Sequence, residues 1–303
     1  MAKVISFINF KGGVGKTTLA VNIAACLARE FAKKVLLVDL DAQANASIWL
    51  LGAEHWRSLA IRTAMNKTAF GLFSLKFDPH DVLTPFAESS AGNLDGFGLI
   101  PSSYHLIGLE DLVVRKKTAM RSDGYYVEGS EYRLLGRGIG PLLPAYDYVI
   151  LDSPPNLYNV TRNGIYCSDY IVVPCIPDTL SMFGLKLLLF QINRLVKRAE
   201  AARTAVNPVV LGVVLNKKRP VIEHQHGIDE ISSMVDQLRA KPEFQCVDAR
   251  TAVLDQYPVR DLIDHAKAVS AHKPLCLFAP TVDAYEDIKA VTKELLKAME
   301  ARE

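Results

Sequence analysis

Within eight residues of this 303-residue chain, Lys11-Gly12-Gly13-Val14-Gly15-Lys16-Thr17-Thr18 brings together three glycines, two cations and two hydroxyls. Glycines let successive backbone N–H groups converge on anionic oxygens, and a helix starting just beyond them adds its partial positive charge. In that setting Lys16 reaches the β- and γ-phosphates of a nucleotide and the Thr17 hydroxyl holds Mg²⁺. The usual spacing is G-x-x-x-x-G-K-[ST]; here Phe10 occupies the first glycine position and a second lysine, Lys11, follows it. Asp152 closes the apolar run Tyr148-Val149-Ile150-Leu151, where a carboxylate binds Mg²⁺ through water. Asp39 and Asp41 close another such run, Val35-Leu36-Leu37-Val38.

These residues need elements to position them. The run Val4–Asn9 reads as a strand entering the glycine turn, and Leu19–Ala28 repeats apolar groups at helical spacing behind it. Further continuous apolar runs at 35–38, 97–100, 146–151, 169–173, 209–215 and 251–255 read as strands buried on both faces. Between the fourth and fifth of these, Asp178-Thr179 caps a long helix whose Leu185, Leu188, Leu189, Ile192, Leu195 and Val196 form one stripe; its far end carries Arg194, Lys197, Arg198 and Arg203. The pattern predicts an α/β fold, a doubly wound, mostly parallel sheet with helices on both faces, whose ligands sit beyond the carboxyl ends of the strands. One domain spanning 1–303 is expected, with a variable helical and loop insertion at about 48–95. There Trp49, Trp56, Phe70, Phe73 and Phe77 read as a packed aromatic cluster, while Asp78-Pro79-His80 and Glu88–Asn93 read as turns. Asn45 and Ser47 read as helix N-caps. The closing segment from Asp283 to Arg302 puts Ile288, Val291, Leu295 and Met299 on one face of a helix that packs on the domain.

Composition sets bounds on the function. Lys+Arg 35 against Asp+Glu 33 leaves the total charge near neutral, so nucleic-acid affinity has to come from a local patch. The five cysteines are scattered without C-x-x-C spacing, as in a reduced cytosolic protein. No leader pattern and no membrane-spanning window is read in the sequence, so a cytoplasmic protein without a membrane partner is expected.

The form Lys-Gly-Gly-x-Gly-Lys-Thr-Thr resembles the deviant Walker A box of the ParA/MinD ATPases, members of the P-loop NTPase fold. Asp39-Leu40-Asp41-Ala42-Gln43-Ala44-Asn45 resembles that family's D-x-D-x-Q-x-N segment, and Asp152 its Walker B acid. The resemblance implies ATP and Mg²⁺ as ligands, Lys11 reaching across an ATP-sandwiched homodimer, Asp41 orienting the attacking water and Asp39 supporting the magnesium shell with Thr17 and Asp152. It implies that Asn216, at the end of the strand 209–215, bonds the adenine edge, with Pro258 beside the base. It also implies slow, partner-stimulated hydrolysis that partitions or positions DNA or a protein cargo, with a ParB-like or cargo-adaptor activator. Two basic clusters, Arg194, Lys197, Arg198 and Lys217, Lys218, Arg219, are candidates for a nonspecific DNA surface that would hold the ATP form on the nucleoid. The alternative is a relative that regulates a flagellar, secretion or polysaccharide apparatus without touching DNA.

Overall fold

The computed structural model describes residues 1–62, 65–86, 94–122, 130–201 and 207–302. The turn expected at Glu88–Asn93 and the cation Arg203 lie outside the described residues. Seven short strands carry the apolar runs: β1 (Lys3–Phe7), β2 (Val35–Asp39), β3 (Phe97–Ile100), β4 (Tyr148–Asp152), β5 (Tyr170–Cys175), β6 (Val209–Leu215) and β7 (Ala252–Leu254). They form one sheet in the order β3-β2-β4-β1-β5-β6-β7, and every strand pairing is parallel. Parallel strands need crossovers, and helices supply them. The principal helices are α1 (Lys16–Phe31), α2 (Asn45–Leu51), α3 (Leu109–Ser122), α4 (Asn159–Cys167), α5 (Thr179–Ala201), α6 (Ile222–Arg239), α7 (Ile263–Ser270) and α8 (Asp283–Glu300).

Strand alternation divides the core between two faces. Ile5, Phe7, Val35, Leu37, Ile150 and Val172 pack with α1, α7 and α8; Val4, Leu36, Val38, Val149, Leu151 and Ile171 point the other way, toward α3 to α6. This is the two-sided helical cover that the continuous apolar runs require. The residues expected to face inward from α5 and α8 are all buried.

Three expectations are corrected here. The aromatics of residues 48–95 do not form one cluster. Trp49 is buried on the α1 face, its Nε1 donating to the carbonyls of Ala268 (3.2 Å) and Lys273 (3.1 Å), whereas Phe73 is buried on the opposite face. The segment wraps the β3 edge, where Leu83 and Leu99 exchange backbone hydrogen bonds of 3.0 and 2.8 Å, so its side chains reach both layers. Covering the edge in this way removes a free template for another chain. Second, α2 begins after Ala44, whose φ of 56° turns the chain without a side-chain cap, so neither Asn45 nor Ser47 caps it. Third, Thr179–Glu200 is long and apolar enough to cross a membrane, with mean hydropathy 1.2. Its inner stripe packs in the core, and a second row, Leu180, Phe183, Leu187 and Phe190, is exposed.

The course of α5 also separates the two basic clusters. The helix starts at the carboxyl end of β5 and runs back toward the start of β6, carrying Arg194 about 24 Å from Asp178. Lys217–Arg219 follow the carboxyl end of β6, at the opposite end of the strands. One subunit therefore does not present them as a single surface.

Candidate nucleotide site

The turn between β1 and α1 is a glycine loop because its backbone demands one. Gly13 (φ 75°) and Gly15 (φ 88°) take left-handed conformations, and Gly15 is the N-cap of α1. A Cβ on Gly15 would lie 2.0 Å from Asn216 Nδ2. That amide donates to the Val14 carbonyl at 2.7 Å and is 2% exposed, so the end of β6 buttresses the loop from beneath. Above the loop opens a cleft of about 480 Å³. Gly12, Gly13, Gly15, Lys16, Thr17 and Thr18 line it from the loop and the start of α1, together with Asp41, Gln43, Asn45, Ile48, Trp49, Pro155, Lys217, Val269 and His272. Neither Gly12 nor Gly13 has an atom within 4 Å of where a Cβ would stand, leaving room for an anionic group against the N–H groups.

Strand register brings the acids together. Asp39 and Asp152 are paired across β2 and β4, and Phe7, the last residue of β1, pairs with Asp152. Both carboxylates are fully buried, yet they are used differently. Asp39 Oδ1 accepts from the Asp41 N–H (3.1 Å), and Oδ2 accepts from the Ser47 N–H (2.9 Å) and hydroxyl (2.6 Å). Ser102, just past β3, donates its N–H to Ser47 Oγ (2.8 Å) and its hydroxyl to the Asp41 carbonyl (2.5 Å). The circuit fixes the loop that carries Asp41 into the cleft, so Asp39 acts on that loop rather than standing ready as a ligand. Ser47 was legible only as a helix cap and Ser102 not at all, since their bonds join α2 to the ends of β2 and β3.

Asp152 is the opposite case: both oxygens are buried and neither has a hydrogen-bond partner. Burial raises its pKa well above the ordinary carboxylate value and the Asp39 charge adds to this, while the nearby Thr17 hydroxyl and then Lys16 oppose it. Asp39 is likewise raised, to about 7, chiefly by burial and against its Ser47 bonds. The Lys16 ammonium is pushed down by burial, with Asp152 and Asp41 pulling it back up. An orphaned carboxylate beside a hydroxyl and a cation suits a hydrated divalent ion, which would complete its bonding. Thr17 and Asp152 fit Mg²⁺ on this count.

The two lysines of the loop part company. Lys16 is 7% exposed, lines the cleft and donates to the Lys11 carbonyl at 3.3 Å. Lys11 does not line the cleft of its own subunit. Its Nζ donates to Asp178 (3.0 and 3.2 Å) and to Ser181 Oγ (2.9 Å) at the start of α5. Asn9 braces this corner, accepting from the Lys11 N–H and donating to the Pro174 carbonyl. Asp178 was legible only as a helix cap, a role it also fills by accepting from the Ser181 N–H at 2.7 Å.

The remaining expected residues lie elsewhere. Pro258 belongs to a separate hollow of about 380 Å³ with Lys218 and Arg219. Arg219 is paired with Asp261 at 2.5 Å, and Arg194, Lys197 and Arg198 are exposed around another cleft with Lys241 and Glu243. Of the other two loop residues expected to bind nucleotide, Thr18 lines the cleft from the first turn of α1, whereas the Val14 side chain is buried and outside the lining.

Residues 2–204 match a family model described as an AAA domain. Over 296 residues the chain is 34% identical to the sporulation initiation inhibitor protein Soj of Bacillus subtilis, covering 97% of this chain and 98% of Soj. The chain belongs to the ParA/Soj family of P-loop ATPases. Among solved structures, McdA of Cyanothece superposes with a TM-score of 0.70 at 20% identity, covering 98% of this chain and all of that one; an ATP complex of a McdA variant gives the same score. A cobyrinic acid a,c-diamide synthase from Mycobacterium smegmatis, with ADP and magnesium bound, gives 0.66 at 20% identity, covering 100% and 97% of the two chains. The fold of this ParA/Soj member is therefore shared with proteins of different activities, and the site has to carry the argument for function.

Proposed function

We propose that this ParA/Soj member is a Mg²⁺-dependent ATPase whose two subunits close around ATP, and that the cycle partitions or positions a cargo. The observation that carries this reading is the placing of Lys11. It sits on the phosphate loop, yet it is turned out of its own cleft and held by Asp178 and Ser181. A phosphate that Lys11 reaches is thus more naturally one in a second subunit.

Within the cleft, backbone N–H groups and Lys16 bind the phosphates. Thr17 and Asp152 would hold Mg²⁺, which supplies charge neutralisation when bound. Asp41, kept in place through the Asp39–Ser47–Ser102 circuit, orients the water in line with the terminal phosphorus. The water oxygen bonds to phosphorus as the bond to the bridging oxygen breaks, releasing ADP and phosphate. Positioning rather than covalent chemistry is what such a site contributes, which suits a slow timer that a ParB-like or cargo-adaptor activator accelerates.

Nonspecific DNA as the track, with the ATP form on the nucleoid, rests on Arg194, Lys197 and Arg198. Lys217 faces the cleft and Arg219 is paired, which weakens the second cluster. That separation favours one other reading, a switch on a flagellar, secretion or polysaccharide apparatus that never contacts DNA. The purified protein tests these points. Asp41→Ala should abolish turnover while an ATP-bound dimer persists, and unchanged turnover would remove Asp41 from the mechanism. Lys11→Ala should prevent ATP-driven dimerisation in light scattering. Binding of random-sequence DNA that requires ATP and falls steeply with salt separates the two readings of the cargo.

A further inference from the structure

Helix α4 starts without a cap of its own. Its N-cap is Tyr158, extended at φ −77° and ψ −174°, and the Tyr158 side chain makes no capping bond. The first N–H groups of a helix need acceptors, and Ser, Thr, Asp or Asn at this position normally supplies one. Here the acceptor comes from another helix. Glu110, in the first turn of α3, accepts the Asn159 N–H on Oε1 at 2.7 Å and the Asn159 Nδ2 on Oε2. A carboxylate at a helix N-terminus also meets the positive end of the dipole.

What this cap holds is the loop between Asp152 and α4. Pro154 and Pro155 have no N–H to give. The loop's inner bonds run from the Asn156 N–H to the Pro154 carbonyl (2.9 Å) and from the Tyr158 N–H to Asn156 Oδ1 (3.0 Å). At the strand end, the Ser153 N–H makes only a long bond of 3.4 Å to the Phe7 carbonyl. Pro155 lines the nucleotide cleft, and Asp152, with its two unpartnered oxygens, directly precedes the loop. Glu110 therefore anchors the far end of a segment whose near end is Asp152.

The connection that delivers Glu110 reaches the Asp41 loop as well. Just past β3, Ser102 donates its hydroxyl to the Asp41 carbonyl, and Ser103 opens the turn into α3 by accepting the His105 N–H at 3.2 Å. The short segment 102–110 thus grips two loops that line the cleft, the Asp41 loop at its start and the Ser153–Tyr158 loop at its end.

We propose that Glu110 is a positioning residue for hydrolysis. By capping α4 from α3 it sets the loop that follows Asp152 and carries Pro155, in register with the Asp41 loop that Ser102 holds. Glu110 lies outside the cleft lining, and the phosphate loop and Lys16 bind the nucleotide without it. Its loss therefore falls on the chemical step, where small displacements are costly, and spares nucleotide affinity. This inference rests on the ATPase reading above and adds to it a residue outside the cleft.

The test is steady-state hydrolysis of ATP with Mg²⁺ by the purified full-length protein, well below its melting temperature. Nucleotide affinity is read separately with fluorescent N-methylanthraniloyl ADP. Glu110→Ala should lower kcat about tenfold while ADP affinity stays within about twofold of wild type. The rescue is a cap supplied in cis, since Tyr158 is 66% exposed and its extended backbone suits an N-cap carboxylate. In a Tyr158→Asp background, Glu110→Ala should lower kcat by no more than about twofold. A cap with no bearing on the chemistry would lower the melting temperature of Glu110→Ala and leave its kcat unchanged, which would overturn the assignment. An undiminished loss of kcat in the Tyr158→Asp background would overturn it too. Either outcome leaves the ATPase reading intact, whereas no hydrolysis by wild type would overturn that reading and this inference with it.

Discussion

A carboxylate with no partner is an unstable thing to bury, and Asp152 is one. Its raised pKa, with that of Asp39 near 7, means that the native protein holds protons which the unfolded chain releases at ordinary carboxylate values. The native state binds more protons from about pH 4 to 7, so these two acids contribute stability that is complete below the unfolded value and lost as pH rises through the folded ones. Asp152→Asn removes much of that dependence. Without Mg²⁺ the variant should melt above wild type by a few degrees at pH 8, with a smaller gap at pH 5. Adding Mg²⁺ and ATP at pH 8 should raise wild type far more than the variant, since only wild type keeps the acid that the ion needs. The Lys11–Asp178 pair calls for a smaller number. Its side chains are 35% and 34% exposed, so solvent limits the pair to roughly 0.5–1 kcal/mol. Asp178→Asn keeps the helix cap and drops the charge, and it should lower the ATP concentration for dimerisation about two- to fivefold, read by light scattering. Lys16, Thr17, Asp41 and Asp152 could be picked out in the sequence because each ends or follows a strong periodic run. Ser102 and Ser181 could not, because the partners that tie them into the site, Ser47 and Lys11, lie 55 and 170 residues away and no period links them.

At the scale of elements, the strands were the easiest to read. Burial on both faces leaves continuous runs of Val, Ile and Leu that end abruptly at an acid or a proline. The start of α2 was misplaced because a left-handed alanine does what Asn and Ser usually do. The short helical turns between Ala53 and Asp81 lack enough residues to show a period. One close approach reverses an ordinary expectation. Gly227 lies inside α6, where alanine is normally the better helix former by about 1 kcal/mol. A Cβ there would meet the Pro177 carbonyl oxygen at 2.3 Å. Gly227→Ala should therefore destabilise the protein by about 1–3 kcal/mol in urea unfolding, the cost of pushing α6 off the turn after β5. Because that turn continues into Asp178, the variant should also loosen Lys11.

The sequence predicted a doubly wound sheet but not its order, since the apolar runs say which residues are strands and nothing about which are neighbours. The order found puts β1 at the centre, between β4 and β5. That has a consequence for how the protein comes into being. The first strand to leave the ribosome pairs with residues 148–152 and 170–172, so its neighbours arrive only after β2 and β3 have been made. At about 5–20 residues per second, the wait is on the order of 10–30 s. A stalled nascent chain ending at Gly140 should be cut readily by protease, whereas the released full-length chain should resist. Through that interval the phosphate loop is only a tether between an unpaired strand and a nascent helix, and nucleotide in the cell has nothing to hold until half of the chain has been made.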